Sequence, residues 1–109
     1  MVLKGIAFFS IVLFLFSCSG NNSNDAVLPE ETPEEKGASL FIMHCASCHG
    51  EDGKLGASGA KDLSVSKLSD KEIENIINNG KNAMPPMKVL LENKENIDLV
   101  INHVKSLRK

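Results

Sequence analysis

The 109-residue chain has no tryptophan and no tyrosine, and five phenylalanines supply all of its aromatic content. It offers no set of stacking platforms for single-stranded nucleic acid. It has no excess of positive charge either: 12 Lys and Arg stand against 14 Asp and Glu, a formal net charge of −2. That balance excludes a generally basic nucleic-acid binder. Long apolar runs are missing after residue 17, although hydrophobic residues make up 42% of the chain. What remains is small for an independent core, and so short a domain ordinarily needs a staple, a metal or a cofactor. The cysteines number three, so a simple paired-disulfide framework does not close. No segment alternates strongly enough to read as a strand, and no internal repeat is present. No Gly-Lys-Ser/Thr follows a glycine at phosphate-loop spacing.

The apolar run comes first. Lys4 precedes Gly5 to Phe16, interrupted only by Ser10. Twelve helical residues span roughly 18 Å, short for a hydrocarbon core about 30 Å thick. The stretch fits the apolar centre of a secretory signal. It ends in Leu15-Phe16-Ser17-Cys18, which resembles a bacterial lipobox, with Phe16 bulkier than usual. Residues 1–17 are therefore expected to be a lipoprotein signal peptide, and Cys18 the lipidated residue holding the protein on a membrane. Export leaves Cys45 and Cys48 in an oxidising compartment. Residues 19–36 hold two prolines and five acids against one lysine. With Cys18 they read as a flexible acidic tether, 18–36, too polar to fold alone. Residues 37–109, with ten basic and nine acidic side chains, form the domain.

Within the domain, Leu40, Phe41 and the following His44 or Cys45 fall near one helical stripe, so a short helix runs into the cysteines. Gly50, Gly53, Gly56 and Gly59 mark a loop. Ser69 and Glu72 form a capping box ahead of Ile73, Ile76 and Ile77, and Gly80 stops that helix. Asn93 to about Leu107 carries Ile97, Val100, Ile101, Val104 and Leu107 at helical spacing. The fold class is all-α, with loops carrying the chemistry.

The chemistry centres on Cys45-Ala46-Ser47-Cys48-His49. Cys-x-x-Cys-His is the signature of covalent c-type haem attachment. Thiols three apart on a helical turn suit two vinyl groups on adjacent pyrroles, and the next residue offers an imidazole to the iron. Three other readings use these residues. A thioredoxin-like pair needs a βαβ context. A structural zinc site needs four ligands, for which His44 or His103 would have to join the cysteines. A disulfide closing so tight a loop adds little stability. A sixth iron ligand is sought in Gly80-Lys81-Asn82-Ala83-Met84-Pro85-Pro86-Met87, where Met84 is the candidate. Pro85 and Pro86 fix two successive φ angles and stiffen its loop. Met43 and Met87 read as core filler.

These pieces together resemble a class I cytochrome c domain of the small monohaem type, over essentially all of residues 37–109. They are Gly37-x-x-x-Phe41, Cys45-x-x-Cys48-His49-Gly50, Leu63, Asn79 to Pro85, and Val104-Lys105-Ser106-Leu107. The resemblance implies three to four helices wrapped around one covalent haem c, with first and last helices crossing through a glycine and an aromatic pair. Two departures stand out. His103 occupies a place the family usually gives an aromatic. The stretch Gly59-Ala60-Lys61-Asp62 lacks the proline whose carbonyl commonly accepts from the haem-ligating histidine, which leaves the acceptor for His49 open.

The implied function is an electron carrier rather than an enzyme. Cys45 and Cys48 would bind haem, and His49 and Met84 would be its axial ligands. Such a site has no open coordination position, and its thioether favours Fe(II). Partners would be redox proteins on the same membrane face, with Lys54, Lys81 and Lys88 as candidate docking charges. No nucleic acid is expected. Localisation would be exported and lipid-anchored, on the periplasmic face. The alternatives are a haem protein with a labile sixth site, suited to gas sensing or peroxidase chemistry, and a thiol or zinc module.

Overall fold

The computed structural model describes residues 29–109. The signal segment, Cys18 and most of the tether lie outside the described residues. Five α-helices follow in order: α1 Pro33–His44, α2 Ala46–His49, α3 Asp70–Asn79, α4 Lys88–Leu91 and α5 Lys94–Ser106. Single 3₁₀ turns at Ala57–Gly59 and Leu63–Val65 shape the loop between α2 and α3. Among the described residues the only β pairing is an isolated bridge between Lys81 and Met84.

α1 begins four residues before the domain boundary read from the sequence. Thr32 is its N-cap: its hydroxyl accepts from the Glu35 amide at 3.2 Å, and the Glu35 carboxylate accepts from the Thr32 amide at 2.9 Å. The Thr32 backbone N–H first, and then the Thr32 side chain, hold the Glu35 carboxyl below its usual range. Pro33 then opens the helix without wasting an N–H donor. Acidity that suggests a tether is here the favourable charge at a helix N-terminus. Both α3 and α5 follow the sequence reading closely. Ser69 and Glu72 form the expected capping box, and the Asn93 side chain accepts from the Asn96 amide at 2.9 Å.

α1 crosses α5 with backbone close against backbone. A Cβ on Gly37 would stand 2.6 Å from the Leu99 carbonyl oxygen. One turn further on, Phe41 is fully buried and meets the His103 ring at 4.9 Å between centroids, tilted by 45°. The imidazole thus fills the aromatic place at the crossing. α3 lies along α5, and exposed ion pairs bridge them: Lys94 with Glu74 at 3.4 Å and Lys105 with Asp70 at 2.9 Å. Such pairs contribute little individually. α4 is a single turn whose Leu91 is fully buried, and the Asn96 amide closes on the Leu91 carbonyl at 2.9 Å.

The core is Phe41, Ile73, Ile77, Met87, Leu91, Ile97, Val100, Ile101 and Val104. Met87 is core filler as expected. Met43 is not: it is 72% exposed. At about 100° per residue it points some 200° from Phe41, away from the stripe that meets α5. Ile42, Leu55, Val65, Val89 and Leu90 are exposed as well.

Two outcomes follow. Gly37→Ala should destabilise the folded protein by about 1–3 kcal/mol, because the helices must move apart to admit one methyl; denaturant unfolding reads this. Burial lowers the His103 pKa below its usual 6.5. The unfolded chain therefore takes up this proton first as pH falls. Stability present above pH 6.5 should be lost as pH drops from there through the folded value. A His103→Phe variant should lack that component of the pH profile.

Candidate haem site

α1 delivers the motif. Its last backbone bond, from the Cys45 amide to the Phe41 carbonyl at 2.8 Å, ends the helix at the first cysteine. The chain then makes one further helical turn, with His49 N donating to Cys45 O at 3.0 Å and Gly50 N to Ala46 O at 2.7 Å. Both thiols are free. Cys45 is half-buried against the core, whereas Cys48 is exposed. Burial, and then the charge of Cys48, push the Cys45 thiol up to about 11. A dithiol oxidoreductase needs the opposite, a lowered thiol pKa. Among the described residues no group of three or more His, Cys, Asp or Glu side chains is placed to hold a metal ion, so a zinc cluster has no ligand set.

His49 is oriented by a bond that spans twelve residues. Its Nδ1–H donates to the Lys61 carbonyl at 3.1 Å, which leaves the Nε2 lone pair free. The loop is folded back to make this possible: Leu55 N donates to His49 O at 2.8 Å, and Leu63 N to Gly53 O at 2.8 Å. The acceptor left open by the missing proline is thus Lys61, two residues before Leu63. A backbone carbonyl leaves no trace in residue type, and only its offset from Leu63 could have pointed to it.

Met84 lies on a tight turn. Lys81 N donates to Met84 O at 2.9 Å, and Met84 N donates back to Lys81 O at 3.0 Å. Gly80 makes the turn possible. Its φ is +72°, and a Cβ there would stand 2.5 Å from the Met84 carbonyl oxygen. The far end is fixed where Met87 N donates to Ile77 O at 2.7 Å. Met84 is half-buried. Cys45, Ala46, Leu63 and Met84 all pack against the one core. The structure thereby sets the motif, the loop after it and the methionine turn around a shared apolar centre. His44 is half-buried beside the motif, and His103 is taken up by Phe41.

The residues present fit haem c. Two unpaired thiols stand one helical turn apart, and an imidazole with one nitrogen committed follows at once. Leu55, bonded through its amide to His49, is 61% exposed, and Val65, two residues past Leu63, is 69% exposed. An apolar side chain such as Leu55, left open beside a polar motif, matches a site that takes an apolar ligand.

Fold and site together define a small all-α monohaem cytochrome c domain. Residues 32–104 match the family model described as cytochrome c oxidase, cbb3-type, subunit III, and the match starts at the N-cap of α1. Cytochrome c-551 of Bacillus subtilis (strain 168) is 32% identical over 82 residues, covering 71% of this chain and 72% of the relative. The solved structure of the KustC0563 c-type cytochrome is 28% identical with a TM-score of 0.58, covering 67% of this chain and 98% of its own. The chain belongs to this cytochrome c family and carries covalent haem c.

Cys45→Ala and Cys48→Ala should each lose most of the holoprotein when expressed with a c-type maturation system. Haem-stained gels against total protein measure this, and normal pigment in both variants would contradict thioether attachment at these positions.

Proposed function

We propose that the protein is a membrane-tethered carrier of single electrons, with haem bound through Cys45 and Cys48 and ligated axially by His49 and Met84. The observation that carries this reading is that both ligand candidates are held by backbone bonds. His49 is fixed through the Lys61 carbonyl, and Met84 through the paired bonds to Lys81. Haem bound here supplies one-electron redox chemistry at iron. The chain's own part is to keep the imidazole Nε2 and the Met84 thioether in place in both oxidation states, to limit water, and to set the potential through its apolar surroundings. A fixed Met84 occupies the sixth position, which disfavours the gas-sensing or peroxidase reading.

The tethering part of the proposal rests on the sequence of residues 1–36. No helix among the described residues is long and apolar enough to cross a membrane. On the lipobox-like Leu15-Phe16-Ser17-Cys18, attachment is assigned to lipidated Cys18 after export, with the domain on the periplasmic face of a bacterial membrane. From Cys18 to Thr32 the chain spans at most about 50 Å at full extension. Within that radius the domain meets donors and acceptors at raised effective concentration. Lys54, Lys81 and Lys88 are exposed and available to orient docking.

Optical spectra of the holoprotein test the ligands. The wild type should show a sharp low-spin α-band when reduced and a weak far-red band when oxidised. Met84→Ala should lose the far-red band, bind carbon monoxide readily and have a lower reduction potential, since the thioether favours Fe(II). Gly80→Ala should weaken the band by disturbing the turn, and Met87→Leu should keep it. Persistence of the band in Met84→Ala would assign the sixth position elsewhere.

A further inference from the structure

The Lys61 carbonyl has no proline ring to fix it, and Lys61 itself is exposed on a long loop. Something else must aim it at His49. The Lys61 carbonyl and the Asp62 amide belong to one planar peptide unit, so holding Asp62 holds the carbonyl. Asp62 is held twice by one neighbour. Its Oδ1 accepts from the Ser64 amide at 2.9 Å and from the Ser64 hydroxyl at 2.6 Å. Ser64 is a buried polar residue, only 3% exposed. Its own carbonyl accepts from the Lys109 amide at 3.2 Å, and the adjacent Leu63 amide is bound to Gly53. Arg108 Nη2 donates to the Leu68 carbonyl at 2.7 Å, tying the end of the same segment to the tail of α5. The Ser64 hydroxyl also keeps the Asp62 carboxyl below its usual range, so the acceptor is a carboxylate at neutral pH.

We propose that Asp62 and Ser64 are positioning residues for His49, acting through the Lys61 carbonyl in place of a proline. This inference rests on the assignment of His49 as an axial ligand. The hydrogen bond from Nδ1–H raises the basicity of the imidazole and so favours Fe(III). Loosening the brace weakens that bond and raises the reduction potential.

The test uses purified holoprotein carrying Asp62→Ala, Ser64→Ala or Asp62→Asn. Two quantities are read: the midpoint potential, and the exchange rate of the His49 Nδ1–H by NMR in the reduced, diamagnetic form. Asp62→Ala and Ser64→Ala should raise the potential and speed exchange about fivefold, as for the loss of one net hydrogen bond. Asp62→Asn removes the charge but keeps the Oδ1 acceptor, and it should stay close to wild type. That separates the brace from the simple loss of a negative charge, which also raises a potential. Should Asp62→Ala fail to accumulate, Ser64→Ala decides, since it deletes one oxygen and alters no charge. Unmoved potential and exchange in Ser64→Ala, with a normal wild-type low-spin spectrum, would overturn the brace and leave the electron-carrier reading standing. A wild type without His49 on the iron would overturn both.

Discussion

The crossing of α1 and α5 is the constraint on which the other parts depend. Gly37 meets the Leu99 carbonyl with no room for a methyl, and Phe41 closes against His103 one turn later. Backbone in contact with backbone permits one separation of the helices, and side chains then permit few rotations. Both consequences matter at the site. α1 is set down so that Cys45 emerges at the border of the core. α5 is set down so that the residues just after it reach the loop holding the Lys61 carbonyl, with Lys109 bound to Ser64 and Arg108 to Leu68. The crossing brackets the motif in sequence, with Gly37 and Phe41 just before it and Leu99 and His103 far after, and it governs where the motif and its supporting loop come to rest.

The second constraint is scarcity. Among the described residues, nine side chains make the buried apolar core, while six large apolar side chains stay exposed. For a domain of this size that is a thin margin, since side-chain burial stabilises by only about 1.5–3 kcal/mol each against the entropy of the whole chain. Covalent haem resolves the imbalance in physical terms. Held by Cys45 and Cys48, it would add a large apolar group at the end of α1. Surface ion pairs do not fill this role: the Lys94 and Lys105 pairs are exposed and screened.

Much of this was legible in the sequence because it is written in side chains. The Ser69–Glu72 capping box, the Gly80 stop and the α5 stripe each have a residue signature, and the structure reproduces them within a residue. Composition hides the start of α1: Thr32-Pro33-Glu34-Glu35 is a good helix start, but it adjoins a polar acidic stretch and reads as part of it. Met43 was misplaced because a methionine fits a core or a surface equally well until the helix it lies on has a partner. The acceptor for His49 was illegible for a different reason. Any residue can offer a carbonyl, so the identity of Lys61 carries no signal, and neither does the exchange of bonds between Lys81 and Met84.

The two ligand candidates are restrained by different means, and the difference bears on function. His49 depends on a long-range contact, so its setting inherits the geometry of the whole loop and of the α5 tail. Met84 depends on its own turn: two bonds to Lys81, and the Met87–Ile77 bond that closes it. At about 1 kcal/mol net for each bond, releasing all three costs about 3 kcal/mol, and the open turn would be populated below about 1%. Under the proposed ligation, the iron–sulfur bond adds to that figure. A sensor or peroxidase needs the sixth position free for a substantial fraction of the time. A carrier needs it closed in both oxidation states, so that little nuclear motion accompanies the electron. The restrained backbone of this turn suits the carrier. Under the same proposed ligation, the tunable part of the site lies on the His49 side, where a change in one exposed loop would alter the imidazole without freeing the sixth position.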